Sequence, residues 1–471
     1  MLRTLAITLF ALMPTAGPLA ADAARRPNVL LIYTDDQGTV DAGCYGATDL
    51  ETPNLDALAA RGVRFTQMYA AAAVCSPSRA ALMTGRMPAR AGVPSNAPSE
   101  AGQDGMPTDE VTIAEMLRDA GYATAHVGKW HLGYSSATMP NGQGFDRSFG
   151  IMGGCVDNYS HFYYWSGPNR HDLWRDGAEV WQDGEFFGDA MVAECESVID
   201  ANRERPFFIY WALNMPHYPL QASDKWREFY AEHDLPSPRD KYAAFVSTAD
   251  ELIGRVLSKI DAAELRDDTL VIFQSDHGHS TEERTFSGGG SSGIYRGAKF
   301  SLFEGGIRVP SIASWPGHLP QGEVRDQLAV ACDWLPTIAQ LCDTPPPDRK
   351  LDGASLVDVL TSAGAASPHP TFYWQMGGAE TVDGLQTAVR EGDWKLIFNA
   401  RDTSKAVVPA VDRVFLANLA DDPGETTNVA AAHPDVVARL TAVRDAAFAD
   451  IARERPTSKG GNKRKNKARG K

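Results

Sequence analysis

Three short segments place acids, an imidazole and a thiol where they could share one task. Asp35 and Asp36 are adjacent carboxylates at the end of the apolar run Asn28-Val29-Leu30-Leu31-Ile32-Tyr33-Thr34. Two such charges repel unless a cation neutralises them, and a hard divalent ion such as calcium takes several oxygen ligands. Asp276-His277-Gly278 follows a second apolar run and offers two more ligands. Either segment alone reads more readily as a solvated loop. Cys75 opens Cys75-Ser76-Pro77-Ser78-Arg79. Proline is tolerated in the first turn of a helix, and a helix N-terminus favours anions. By itself the thiol is either a reactive group at such a terminus or a structural cysteine. A lone His131, His217, Lys299 or Arg79 is ordinarily a hydrogen-bonded or solvated residue.

The elements that would position these groups alternate along the chain. The run Asn28–Thr34 suits a strand buried on both faces. Helices are expected near Pro53–Ala60, over Ser76–Met83, and over Thr108–Ala120 with Thr108 as cap and Gly121 as stop. Strands are expected over Ala123–Val127, Phe207–Leu213 and Leu270–Gln274, with a long helix over Lys241–Ile260. This alternation implies an α/β fold whose mostly parallel sheet is covered by helices on both sides. Asp35 and Asp36, Lys129 and His131, and Asp276 and His277 each follow a strand end. Open α/β sheets bind ligands at the carboxyl ends of their strands, so one shared site is expected there. Past residue 365 the rhythm changes. Thr371–Gln375, Leu385–Val389, Trp394–Phe398 and Val411–Leu419 read as short strands without helices between them. They imply a small antiparallel sheet, followed by a helix over Pro434–Ile451.

The 471 residues are 43% hydrophobic, enough for a sizeable core, and the formal net charge is -15. That balance argues against a nucleic-acid binder. Arg3, the apolar stretch Leu5–Met13 and Ala21-Asp22-Ala23 read as a signal peptide over residues 1–23. The apolar stretch is shorter than the roughly 20 residues needed to span a bilayer, and no later segment looks transmembrane. The expected location is the periplasm or outside the cell. Six cysteines are present, and sequence fixes no pairing among them. The last residues, 456–471, are rich in Lys, Arg, Gly and Asn and read as a basic disordered tail.

Taken together, the motifs resemble those of the sulfatase family, a branch of the alkaline-phosphatase superfamily. Cys75, Pro77, Ser78 and Arg79 match all four fixed positions of the family's Cys-x-Pro-Ser-Arg signature. Ala80-Ala81-Leu82-Met83-Thr84-Gly85-Arg86 continues it as the family does. Val127-Gly128-Lys129-Trp130-His131-Leu132-Gly133 is similar to the lysine–histidine loop, and Pro216-His217-Tyr218-Pro219 to a second histidine loop. Gly297-Ala298-Lys299, Glu304-Gly305-Gly306-Ile307-Arg308-Val309-Pro310 and Asp422-Pro423-Gly424-Glu425 resemble later family segments. The resemblance covers nearly the whole mature chain, as a catalytic domain over residues 24–365 and a C-terminal α+β subdomain over 366–455.

The resemblance implies that a maturation enzyme oxidises Cys75 to formylglycine. It implies a cation, calcium with magnesium as the alternative, held by Asp35, Asp36, the modified Cys75, Asp276 and His277. Many sulfatases carry Asn at the position of His277, and imidazole is the softer ligand. The implied reaction is covalent: a hydroxyl of the hydrated aldehyde attacks sulfur, and loss of a proton from the second hydroxyl expels sulfate. Arg79 and Lys129 would hold the nucleophile, His131 would take the proton, and Lys299 and His217 would bind sulfate and assist the leaving alcohol.

The substrate could be a sulfated glycan or an aryl sulfate. The aromatic and polar segment from Gly153 to Asp183, including His171 and Asp172, either reads sugar or packs over the sheet. Ser280–Gly297 is either a mobile rim or a long connection. A phosphonate monoester or phosphodiester hydrolase of the same superfamily is the competing reading.

Overall fold

The computed structural model describes residues 26–163 and 169–454. The signal-peptide segment, the basic tail, Tyr164 and Trp165 lie outside the described residues.

The continuous apolar runs form the middle of a ten-stranded sheet. Its order is Glu323–Arg325, Val63–Phe65, Ser311–Ser314, Thr269–Ser275, Asn28–Thr34, Phe207–Ala212, Ala123–Lys129, Arg147–Ile151, Trp174–Arg175 and Ala178–Glu179. All seven residues of Asn28–Thr34 are buried. Alternate side chains go to opposite faces, as the two-residue period of a strand requires. Leu30 and Ile32 pack with Met191, Phe245 and Ile253 of the helices Phe187–Ala201 and Arg239–Ala262. Val29, Leu31 and Tyr33 pack with Leu82, Leu117 and Leu335 of the helices Cys75–Thr84, Ile113–Asp119 and Trp334–Leu341.

The sheet is mostly parallel, as expected, with two strands running against the rest. The five strands from Thr269–Ser275 to Arg147–Ile151 run parallel to one another. Ser311–Ser314 on one side and Trp174–Arg175 on the other join antiparallel. Those flanking strands are two to four residues long and carry too little pattern to be read from sequence.

The helix expected over Thr108–Ala120 spans only Ile113–Asp119. Its cap is Thr112, whose hydroxyl accepts from Glu115 N while the Glu115 carboxylate accepts from Thr112 N. This reciprocal box outcompetes Thr108 as the start.

The C-terminal sheet is antiparallel and four-stranded, in the order Thr371–Met376, Gln386–Glu391, Trp394–Phe398 and Val414–Asn418. Helix Pro434–Glu454 covers it through Leu440, Phe448 and Ile451. Lys395 of this sheet reaches Glu304 at 2.8 Å and Glu425 at 3.1 Å, with none of the three exposed. All six cysteines are free thiols. Among the described residues, no helix is long and apolar enough to cross a membrane.

Candidate active site

The parallel strands all end at the same edge of the sheet, and the chemistry-bearing residues follow those ends. Asp35 leaves the first strand with its N–H donated to Met215 O at 2.9 Å. Asp276 N donates to Thr34 O, also at 2.9 Å. Lys129 is the last residue of its own strand. Three separated segments are thus tied at one place by backbone bonds alone. Asp36 adopts φ 63°, a left-handed turn that an aspartate tolerates better than most residues.

Cys75 is the first residue of a helix whose ten residues are all buried. Its Sγ lies 3.7 Å from Asp35 Oδ1 and 3.4 Å from His277 Nε2. Lys129 Nζ donates to Asp35 Oδ2 at 2.5 Å. Arg79 Nη2 donates to Asp276 Oδ2 at 3.0 Å, and Arg79 Nη1 to Lys129 O at 3.0 Å. Ser78 Oγ donates to Asp276 O at 2.6 Å. The signature helix therefore supplies the thiol and also fixes the acidic loop.

On the other side, Lys299 Nζ donates to Asp36 Oδ2 at 3.0 Å, and His217 Nε2 stands 3.7 Å from the same oxygen. His217 Nδ1 pairs with Tyr218 O at 2.9 Å, so Nε2 faces the site. His131 Nε2 is 3.5 Å from Ser99 Oγ, while its Nδ1 has no hydrogen-bond partner. Gly154 packs flat against that ring: a Cβ there would come 2.9 Å from His131 Cε1. Gly278 is required for a different reason, since a Cβ would meet Gly305 O at 2.0 Å. The glycines after His277 and after Glu304 are thus two sides of one backbone contact.

Burial and charge set the protonation states. Burial pushes the carboxyls of Asp36 and Asp276 up, to about 6 and about 7. Burial acts on Asp35 too, but Lys129 chiefly outweighs it and holds this carboxyl well below its usual range. Burial would raise the Cys75 thiol, yet Lys129 and Lys299 hold it well below its ordinary value. Burial lowers both His131 and His217, so both rings are neutral.

The donor set fits a divalent cation. One ligand atom each from Asp35, Cys75, Asp276 and His277 lie within 4.8 Å of one another, and Asp36 joins Asp35, Cys75 and His217 in an overlapping group. Three carboxylates favour a hard ion. His277 Nδ1 pairs with Gly278 O at 2.9 Å, which leaves Nε2 as its ligating atom. A cation is also the counter-charge that would let the raised Asp36 and Asp276 ionise.

Cys75 forms part of the lining of a cleft of about 410 Å³, with His131, His217 and Lys299 on its walls. His171 and Asp172 do not line it, and of the two readings open for their segment the packed one describes their surroundings. Asp172 is fully buried and accepts from Tyr134, Met152 N, Gly153 N and Trp174, so it holds a loop together. His171 stacks on Trp181 with ring centroids 3.8 Å apart and pairs with Glu179 at 3.0 Å. The neighbouring Tyr163 and Arg170 do line the cleft. They lie opposite each other in the hairpin of Phe162–Tyr163 and Arg170–His171. Strand alternation turns them to one face and Phe162 and His171 to the other. That hairpin was missing from the sequence reading. So were Asn96 and Ser99, which lie in the lining without a local signal, while Tyr218 entered only as part of the second histidine loop. Arg284 comes from the Ser280–Gly297 segment, which contributes it and Glu282 to the lining.

Comparison with known proteins agrees with this geometry. The family model described as Sulfatase matches residues 27–344, and the C-terminal model of N-sulphoglucosamine sulphohydrolase matches residues 292–444. The chain is 35% identical to human arylsulfatase A over 469 residues, covering 91% of this chain and 89% of the human protein. It is 36% identical to the dog N-acetylgalactosamine-6-sulfatase, covering 78% and 72% of the two chains. The solved structure of Ps i-CgsB superposes with a TM-score of 0.80 at 29% identity, covering 92% of this chain and 94% of that one. Ps i-CgsB has also been solved in complex with k-i-k-neocarrahexaose. The chain belongs to the sulfatase family, within the alkaline-phosphatase superfamily. Its relatives are sulfuric ester hydrolases, and it is an enzyme of that class.

Proposed function

We propose that this chain is an exported sulfatase that removes sulfate from sulfated carbohydrates, using a formylglycine made from Cys75 and one divalent cation, calcium. The observation that carries the reading is the position of Cys75. It lies between a ring of carboxylates with His277 on one side and Lys299 with His217 on the other, at a cleft of about 410 Å³. The signal-peptide pattern of residues 1–23 supports export to the periplasm or beyond the cell. The relative solved with an oligosaccharide supports a glycan substrate.

Asp35, Asp36, Asp276, His277 and the modified Cys75 would hold the cation. Formylglycine and cation together would supply a hydroxyl nucleophile and Lewis acidity. The chain's own residues divide the remaining work. Lys129 and Arg79 offset negative charge beside Cys75. Lys299 presents an ammonium to sulfate oxygens from the cleft side. His131 is neutral, and its unpartnered Nδ1 is the atom available to accept a proton. His217 Nε2 would donate to the leaving alcohol. Burial keeps that ring neutral in the free site, and an arriving anion raises its basicity.

The test is to produce the chain with a formylglycine-generating enzyme and measure sulfate release from defined sulfated mono- and oligosaccharides. Aryl sulfate and aryl phosphate esters run in parallel. Release from at least one sulfated sugar, with aryl sulfate turned over far faster than aryl phosphate or phosphonate, supports the reading. The reverse order supports the phosphonate or phosphodiester alternative.

A further inference from the structure

Beyond the groups that face the scissile sulfate, the cleft is lined by two arginines, Arg170 and Arg284. Each lies on a tyrosine that also lines the cleft. The Arg170 guanidinium sits 3.9 Å from the centroid of Tyr163, and that of Arg284 sits 5.0 Å from the centroid of Tyr218. The two tyrosines pack together with Cys155 in one small cluster. The arrangement is a continuous wall with an arginine at each end and two rings between. Tyr218 adjoins His217 in sequence, and Lys299 Nζ lies 5.9 Å from its ring. The wall therefore begins where the sulfate-facing groups stop.

Stacking on a ring holds a guanidinium in plane, and its planar fork matches a carboxylate or sulfate in a way that lysine cannot. Arg170 donates Nη2 to Ser99 O. Arg284 Nη2 donates to Glu282 Oε1 at 2.5 Å. Glu282 offsets this charge only in part: its other oxygen accepts from Ser280 Oγ at 3.2 Å and stands 3.8 Å from Lys299 Nζ. The second acid of the cleft, Glu100, accepts from Gln103 at 3.3 Å. Lys299 is already paired with Asp36, so Arg170 and Arg284 are the guanidinium groups that this wall offers to an anion.

We infer that Arg170 and Arg284 form a second anion subsite, and that the preferred substrate carries another acidic group, a carboxylate or a second sulfate, next to the ester that is cleaved. This inference rests on the sulfatase reading proposed above and narrows its substrate class to polyanionic glycans.

The experiment uses matured full-length enzyme and three disaccharides that share one sulfated sugar. The neighbouring sugar carries a carboxylate, a second sulfate, or a neutral hydroxymethyl group, and an aryl sulfate serves as reference. The readout is the ratio of kcat/KM for each acidic substrate to that for the neutral one. We expect a ratio of about tenfold or more in the wild type, the scale of a hydrogen bond to a charged group. It should fall with added salt. The carboxylate and sulfate arms identify which acid is read. In Arg170→Gln/Arg284→Gln the ratio should collapse to within about twofold of one, and Arg170→Lys/Arg284→Lys should recover part of it. A wild-type ratio near one in both acidic arms overturns the subsite, as does a ratio the Gln variant leaves unchanged. Should the Gln variant fail to fold, the wild-type ratios and their salt dependence decide. Absence of sulfate release from every ester, aryl sulfate included, overturns the catalytic reading and the subsite with it.

Discussion

Lys129 Nζ lies 2.5 Å from Asp35 Oδ2, and neither side chain has any exposed surface. Arg79 Nη2 stands 3.6 Å from the same carboxylate oxygen, so Asp35 is held ionised by two cations that have no access to water. Breaking a buried pair from one side leaves an uncompensated charge and costs about 3–5 kcal/mol. Lys129→Met should therefore destabilise the metal-free chain strongly, while calcium, as a replacement counter-charge, offsets part of the loss. Urea unfolding of wild type and variant, in chelator and in calcium, measures both quantities. An equal loss in the two conditions would show that the cation does not share the charge of Asp35.

Calcium removal is the second prediction. A ligand at about a hundred times its Kd stabilises the folded state by about 2.7 kcal/mol. Calcium should raise the melting temperature relative to chelator, and Asp276→Asn should remove most of that shift. His277→Asn exchanges a softer ligand for a harder one. It should increase calcium affinity relative to zinc, measured by titration calorimetry on the purified chain. No cation-dependent shift with calcium or magnesium would sink the assignment.

Much of this site was legible because its residues sit at the ends of strongly patterned strands. Asn28–Thr34 is buried on both faces and reads as an unbroken apolar run, so the position of Asp35 followed from it. Asp276 and Lys129 followed in the same way. The outer wall of the cleft was legible only as two segments, not as particular side chains. Tyr163 and Arg170 stand on a hairpin of two-residue strands, and Ser99 and Arg284 lie in loops whose place is set only by tertiary contacts. His171 and Asp172 show the limit of residue type. Their types suit sugar binding, yet alternation along the hairpin turns His171 away and four hydrogen-bond donors occupy Asp172. Residue type proposes a role, and the direction of the side chain decides it.

The joint between the two sheets makes a pH prediction. Burial pushes Glu425 up to about 7, whereas Lys395, Arg308 and Arg390 outweigh burial at Glu304 and hold it down at about 2. A carboxyl with a raised folded pKa binds its proton more tightly when folded. The stability it contributes is complete below its unfolded value, near 4.3, and is lost as pH rises through about 7. Glu425→Gln removes this titration. The wild type should lose stability relative to Glu425→Gln between pH 5 and pH 8, by about 1–3 kcal/mol. Melting curves of both proteins across that range check it, and a difference that grows in favour of the wild type contradicts it.

Cys75 should carry the modification wherever a maturation system is present. In the mature protein, peptide mass spectrometry should find oxygen in place of sulfur, with two hydrogens lost, in the peptide spanning residue 75. Cys75→Ser should lose nearly all turnover, because a serine sulfate has no second hydroxyl to expel the anion. A free thiol at residue 75 in fully active enzyme would refute this.

The two histidines should fail at different steps. His131 Nε2 is 3.5 Å from Ser99 Oγ, its ring rests on Gly154, and its Nδ1 has no hydrogen-bond partner. A neutral ring with one nitrogen open suits proton removal from the modified nucleophile after sulfate transfer. His217 has its Nδ1 committed to Tyr218 O at 2.9 Å and turns Nε2 toward Asp36 and the cleft, where a leaving alcohol would need a proton. His131→Ala should therefore release alcohol in a burst and sulfate slowly, so that sulfated enzyme accumulates. His217→Ala should slow alcohol release from esters with poor leaving groups, and matter less for activated aryl sulfates. General acid–base assistance is commonly worth about 10²–10⁴-fold, so each defect should be large enough to assign. Single-turnover experiments that follow alcohol and sulfate separately distinguish the two. Loss of only the first step in both variants, or equal damage to activated and unactivated esters in His217→Ala, would remove this division of roles while leaving the sulfatase fold and the proposed cation site untouched.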